Sequence, residues 1–272
     1  MKISDLHLGF VGFGHMAQVI YRAVDQSKLI PRSQISFIRR DTKKMEQNEK
    51  EFKITSTSLE NLVQKSDLIL IGVRPSQAEL VLKNLAKIGV GSKMVISVLA
   101  GTKLSLFEKY LGKEAQLLRV MPNMASAVGE GMSVFSYGAH PSNDFRSFAH
   151  LLFSSMGQVL EVPEQLMDIS CGIAGSGPGF VIALIDAMAR TGEKHGLDYQ
   201  KALTMAAQAF LGAAKVIIKG GVPETLLEQI ATPNGTTEAG LRALKETEMK
   251  KHLGLVVEAS ARRSKEISEE KH

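Results

Sequence analysis

Short apolar runs alternate with amphipathic stretches from residue 6 to residue 162. Residues 6–11 read as a strand and residues 17–24 as the helix after it. Residues 34–38 form the next strand, and a polar, charge-rich segment follows. Residues 58–65 have a helical pattern that opens on a Thr/Ser cap. Residues 68–73, Leu-Ile-Leu-Ile-Gly-Val, are apolar almost throughout, as in a central parallel strand covered on both faces. A helix over 78–88, a buried strand over 94–99, and strand candidates at 117–120, 132–137 and 159–162 complete the series. Strands alternating with helices predict an α/β domain with a doubly wound sheet and right-handed crossovers.

The pattern changes after Pro163, which predicts one domain over residues 1–163 and a helical one over 164–272. From residue 168 onward strand-like alternation gives way to helical runs. One includes residues 184–189, after a start rich in Gly and Pro. Residues 199–218 carry apolar side chains around most of the helix circumference, so that helix must be covered on nearly every side. Two coverings are open, a self-contained bundle core and a subunit interface, and so small a domain favours the interface. The charged tail, residues 264–272, is expected to fray.

Composition narrows the class. The net charge is +5, but Lys and Arg are scattered and aromatics are only 6%, which points to a solvated basic surface with a bias toward phosphate-bearing small molecules rather than to nucleic acid. Cys171 is the single cysteine, which excludes an intramolecular disulfide and a thiolate cluster. The histidines are dispersed, so no metal is expected. The N-terminal Met1-Lys2-Ile3-Ser4-Asp5 lacks the marks of a signal peptide. With apolar runs judged short of the roughly 20 residues a bilayer needs, the expectation is a cytoplasmic protein without a membrane partner.

The strand at 6–11 runs into Gly12-Phe13-Gly14-His15-Met16-Ala17, a G-x-G-x-x-A pattern. Gly12 permits the tight turn and Gly14 lets the backbone approach a pyrophosphate. Ala17 lets the helix pack close, while the N–H groups of His15, Met16 and Ala17 open the helix toward the phosphates. With a strand before, a helix after and a second strand at the expected distance, this is the fingerprint of a Rossmann-type dinucleotide domain. The second strand ends in Ile38-Arg39-Arg40-Asp41. Arg39 and Arg40 suit the 2′-phosphate of NADPH, while Asp41 keeps NADH open through the ribose hydroxyl. Val73-Arg74-Pro75, Ala100-Gly101 and Asn123 stand at the carboxyl ends of later strands, where ligands sit in open α/β sheets. Asn123 there could offer its amide to the nicotinamide.

In the helical half, Ala174-Gly175-Ser176-Gly177-Pro178-Gly179 precedes one helix and Ala231-Thr232-Pro233-Asn234-Gly235-Thr236-Thr237 another. Residues 232–235 read as a turn with Pro second and Asn, which tolerates positive φ, third. The hydroxyls and free N–H groups that follow suit either a simple N-cap or a cradle for a carboxylate.

Together these segments resemble the pyrroline-5-carboxylate reductase family over nearly the whole chain. The most specific match is at residues 232–241, similar to that family's Ser-Pro-Gly-Gly-Thr-Thr signature. The resemblance implies an all-helical C-terminal dimerisation domain and an NAD(P)H-dependent oxidoreductase that reduces Δ1-pyrroline-5-carboxylate to L-proline in proline biosynthesis. It implies that Thr237 hydrogen-bonds the ring nitrogen and that Thr232, Gly235 and Thr236 hold the carboxylate. It also implies a domain-swapped homodimer with the active site at its interface. The chain departs from the family at His15 (usually Asn), Arg74 (usually Lys), Asn234 (usually Gly) and Met124-Ala125 (usually Thr-Pro). These departures leave open a related cyclic imine as substrate, or a regulatory NADP-binding protein without turnover. A β-hydroxyacid dehydrogenase would place Lys where Val181 stands, and without that ammonium its acid–base group is missing.

Overall fold

The computed structural model describes residues 5–269, so residues 1–4 of the N-terminal stretch and 270–272 of the tail lie outside it. The chain divides into two compact units, residues 5–175 together with 259–269, and residues 176–258.

The first unit is built on strands β1 (Leu8–Val11), β2 (Ile35–Ile38), β3 (Thr55–Ser56), β4 (Leu68–Ile71), β5 (Met94–Ser97), β6 (Gln116–Met121), β7 (Gly131–Tyr137) and β8 (Gly157–Glu161). They form one sheet in the order β3-β2-β1-β4-β5-β6-β7-β8. Strands β1 to β6 are parallel, with Val11 of β1 level with Ile38 on one side and Ile71 on the other. The apolar run in β4 has the cause its sequence suggested. Leu68 and Leu70 point into one core cluster and Ile69 and Ile71 into the other, because successive side chains face opposite ways. Helices α1 (His15–Ser27), α2 (Thr42–Phe52) and α6 (Asn143–Ser154) feed the first cluster. Helices α3 (Leu59–Lys65), α4 (Ala78–Ile88) and α5 (Leu104–Leu111) feed the second. The sheet is doubly wound.

Its far edge departs from a wholly parallel sheet. β7 runs antiparallel to β6, and β8 is parallel to β7. The link from β6 to β7, with a 3-10 turn at Met124–Val128, is shorter than the dozen or so residues a parallel crossover needs. Helices α2, α5 and α6 occupy segments in which the periodicity showed no helix. α2 buries only Asn48 and Phe52, so its apolar stripe is too thin to read.

The chain continues through α7 (Met167–Ser170), a π-helical turn at Cys171–Gly175, and then α8 (Gly177–Lys194), α9 (Tyr199–Ile218), α10 (Pro223–Ile230), α11 (Thr236–Glu246) and α12 (Met249–Glu269). Met167 packs with Met121 and Val134 of the sheet. Contrary to the fraying expected from residue 264, α12 stays helical to Glu269, with Ser264 and Ser268 buried. The Ser264 hydroxyl donates to Asp168 at 2.7 Å. Gly101 is the complementary surface: at φ +60° it is left-handed, and a Cβ there would lie 2.6 Å from Ile267.

In the second unit α8 and α9 pack through small residues; a Cβ on Gly192 would sit 3.0 Å from that of Ala202. Beyond Ala189, Ala202 and Ala206, little of either helix is buried within the chain. Ile182, Met188, Met205, Leu211 and Ile218 are all exposed. The helical stretch 164–194 and α9 are each long and apolar enough to cross a membrane by length and composition, which corrects the expectation that no run approaches that length.

Gly101→Ala should lower the unfolding free energy by about 1–3 kcal/mol, through the strained φ and the clash with Ile267. Urea denaturation measures this, and adding Ile267→Ala should recover the clash component. An unaltered midpoint in Gly101→Ala would show that the end of α12 does not dock here.

Candidate active site

The turn from β1 into α1 is shaped by three small residues. Gly12 has φ +87°, and a Cβ there would come within 2.7 Å of Val73 and 2.8 Å of the Gly72 carbonyl. Ala17 is buried, and its Cβ would lie 3.5 Å from one placed on Gly72, so α1 packs tightly on the β4 end. Gly14 is exposed, and a Cβ on it would meet nothing within 4 Å. Phe13, between the two glycines, plugs into the core against Phe10, Tyr21, Phe37 and Phe52 and holds the turn from below. α1 begins with no side-chain cap and no acidic residue in its first turn. His15 and Met16 therefore offer unmatched N–H groups and a positive helix end to open space, the arrangement that binds a pyrophosphate.

Beside this turn lies a cavity of about 450 Å³, lined by Gly12, Gly14, Arg39, Arg40, Val73 and Arg74 among others. Three polar residues that sequence reasoning passed over join them: Lys44, Gln77 and Asn84. Lys44 belongs to α2, the helix hidden in the charge-rich segment. Asp41, the acid that left NADH open, is the N-cap of α2 and accepts from the Lys44 N–H at 3.0 Å. That bond holds its carboxyl below the usual carboxylate range. The cap is therefore fully formed at neutral pH and is lost only as the pH falls through that lowered value. A carboxylate committed to its own helix, flanked by Arg39, Arg40 and Lys44, leaves this end of the cavity cationic. Arg39 also braces the turn, donating to the Phe13 carbonyl at 3.3 Å and to Asn48 at 2.7 Å. Pro75 opens a 3-10 turn after Arg74.

At the ends of β5 and β6 the picture is less direct. Ala100 is exposed, but Gly101 is buried under α12. Asn123 is buried as well. Its Oδ1 accepts from Ala125 and Met132, and its Nδ2 donates to the Ala174 carbonyl at 2.9 Å. The amide expected to face the nicotinamide thus ties β6 to the π-helical turn and keeps one free hydrogen. In the helical unit, the Gly235 N–H donates to the Thr232 carbonyl at 2.9 Å across a turn in which Asn234 has φ +59°. Gly235 is required there because a Cβ would collide with the Thr232 hydroxyl. α11 then starts at Thr236 without a side-chain cap, and Thr237 is half-buried. Glu238 reaches back to accept from the Asn234 N–H at 2.7 Å.

A relative from Bacillus subtilis, pyrroline-5-carboxylate reductase 1, is 35% identical over 97% of this chain and 90% of its own length. The chain belongs to the pyrroline-5-carboxylate reductase family. The family's dimerisation model matches residues 164–267, and a model for coenzyme F420-dependent NADP oxidoreductases matches residues 7–101. The Arabidopsis thaliana pyrroline-5-carboxylate reductase is 33% identical over 98% of this chain and 97% of its own. A Plasmodium falciparum pyrroline carboxylate reductase, solved with NADP bound, superposes with a TM-score of 0.85 at 26% identity, covering 98% and 99% of the two chains. Against that family, the Asn234 departure is explained by its left-handed backbone, which Asn tolerates. His15 and Arg74 both remain exposed at the glycine turn and the cavity wall.

Removing the cations tests this cavity. Arg40→Ala with Lys44→Ala should raise KM for NADPH by roughly tenfold per lost phosphate contact while leaving KM for NADH almost unchanged. Equal losses with both cofactors would show that these side chains do not read the 2′-phosphate.

Proposed function

We propose that this chain reduces Δ1-pyrroline-5-carboxylate to L-proline with NADPH, and that it does so with the glycine turn gripping the dinucleotide and the loop at residues 232–237 gripping the substrate. The observation that carries the reading is the near full-length likeness to pyrroline-5-carboxylate reductases, joined to a capless α1 start beside a cationic cavity. When bound, NADPH supplies the hydride that the imine carbon accepts, while the ring nitrogen takes a proton.

The chain's own residues bind and orient. Backbone N–H groups at His15 and Met16, preorganised by Phe13 beneath them, hold the pyrophosphate, and Arg39, Arg40 and Lys44 hold the 2′-phosphate. The uncapped N–H groups at Thr236 and Thr237 receive the substrate carboxylate, with the Thr232 hydroxyl over Gly235 closing the cradle. The Thr237 hydroxyl hydrogen-bonds the ring nitrogen. A hydroxyl of ordinary acidity is a poor general acid, so Thr237 positions the nitrogen and steadies its proton rather than supplying it. Orientation of the reacting carbon provides much of the rate.

The same reading covers the apolar faces of α8 and α9. Contiguous exposed hydrophobic surface on this scale marks an interface, and the family's dimerisation model spans these helices. A second copy of the chain covers them, giving a homodimer. A single cysteine fits a reducing compartment, and the cytoplasm is the proposed location.

NADPH oxidation on addition of pyrroline-5-carboxylate tests the reaction directly; an enzyme that binds NADPH but leaves it unoxidised would overturn the reading. Thr237→Ala should lose about two orders of magnitude in kcat/KM, the scale of a lost positioning contact, with NADPH affinity intact. Unchanged turnover in that variant refutes its role. In sedimentation the wild-type chain should run as a dimer or a larger assembly of dimers, and a persistent monomer would remove the dimer from the proposal.

A further inference from the structure

We propose that the cavity of about 560 Å³ bordered by the start of α5, the Glu164–Asp168 segment and the last turns of α12 binds a small multivalent oxyanion. This site lies wholly within the first unit and shares no lining residue with the dinucleotide cavity. It does not depend on the catalytic reading above.

Strand β6 carries a buried charge. Arg119, on β6, is only 1% exposed. Glu164 meets its Nη1 at 3.1 Å, and Asp168 stands 3.8 Å from its Nη2. Both carboxylates are shared: the Glu164 oxygen also accepts the Leu104 N–H at 2.7 Å, and the Asp168 oxygen also accepts the Ser264 hydroxyl. The Nε and Nη2 atoms of Arg119 are left buried without a hydrogen-bond partner among the described residues. Unmet donors on a buried guanidinium are rare in folded proteins and call for an ion, a water or a function.

Three more cations line the same cavity. The side chains of Lys103 and Arg262 make no hydrogen bond or ion pair among the described residues, and Lys265 reaches Glu269 at 3.9 Å. With Arg119 they outnumber the two acids lining the cavity, Glu164 and Asp168. A solvated basic surface would spread such charges apart. Here they converge from α12 and the α5 start over a guanidinium with unmet donors, and the Gln165 side chain adds a polar group. Arg and Lys lining one cavity suit the oxygens of a phosphate or a compact polycarboxylate. Such an anion would hold Arg262 and Lys265 of α12 to the sheet beside the Ser264–Asp168 bond.

Inorganic phosphate is the probe. The full-length chain is taken with and without saturating NADP+ and proline, so that phosphate bound at the dinucleotide cavity or the residue 232–237 loop is told apart by its displacement. Phosphate is then titrated by calorimetry and thermal denaturation, with chloride at matched ionic strength as the control. The expected result is saturable binding of one phosphate per chain and a rise in Tm that chloride does not reproduce. Lys103→Ala with Arg262→Ala should weaken that binding at least about tenfold and abolish the Tm rise. Lys265→Ala, a single surface change, should weaken it less. Arg119 is left intact, because removing a buried ion-pair partner would confound binding with folding. Absence of saturable binding in the wild type, or equal phosphate affinity in all three proteins, overturns the proposal.

Discussion

A helix that begins directly after a strand leaves its first N–H groups without partners, and everything at the centre of this protein follows from keeping them so. A capping Ser or Asp at Gly14 would satisfy those donors and would also fill the space a phosphate needs. Exposing them instead requires the turn to be held by something other than its own hydrogen bonds. Phe13 does this through aromatic contacts beneath the loop, and Arg39 adds a bond to the Phe13 carbonyl. The close packing of Gly12 on Val73 and of Ala17 beside Gly72 then places the uncapped helix end at the carboxyl edge of the sheet.

The charges around this centre are arranged by secondary structure as much as by composition. Asp41, which also lines the cavity, is engaged as the N-cap of α2, and the same helix delivers Lys44 to the cavity. One hydrogen bond therefore engages the acid in its own helix start, while that helix brings a cation to the cavity wall. In the helical unit a comparable economy appears at Gly235. Its missing side chain lets the Thr232 hydroxyl approach, and the left-handed Asn234 aims the turn so that α11 begins uncapped.

The helical unit has the opposite character from the sheet. The sheet buries its apolar residues on both faces within the chain, whereas α8 and α9 leave theirs exposed. Within one chain, apolar side chains of α8 and α9 stay uncovered.

Much of the fold was legible because local period and burial coincide. The run in β4, the helix at Ala78–Ile88 and α9 at Tyr199–Ile218 stand where the apolar pattern put them. The glycine turn was legible because Gly12 takes a positive φ that L side chains rarely adopt, and the 232–235 turn because Pro233 and Asn234 suit its second and third positions. Helix α2 was hidden because a surface helix with two buried residues carries almost no period. Its cap and its lysine were hidden with it. The reversal of β7, the inward commitment of Asn123, and the docking of α12 on Gly101 were decided by tertiary structure. Each depends on a partner distant in sequence, and no local pattern records which carbonyl, methyl or carboxylate the folded chain will bring alongside.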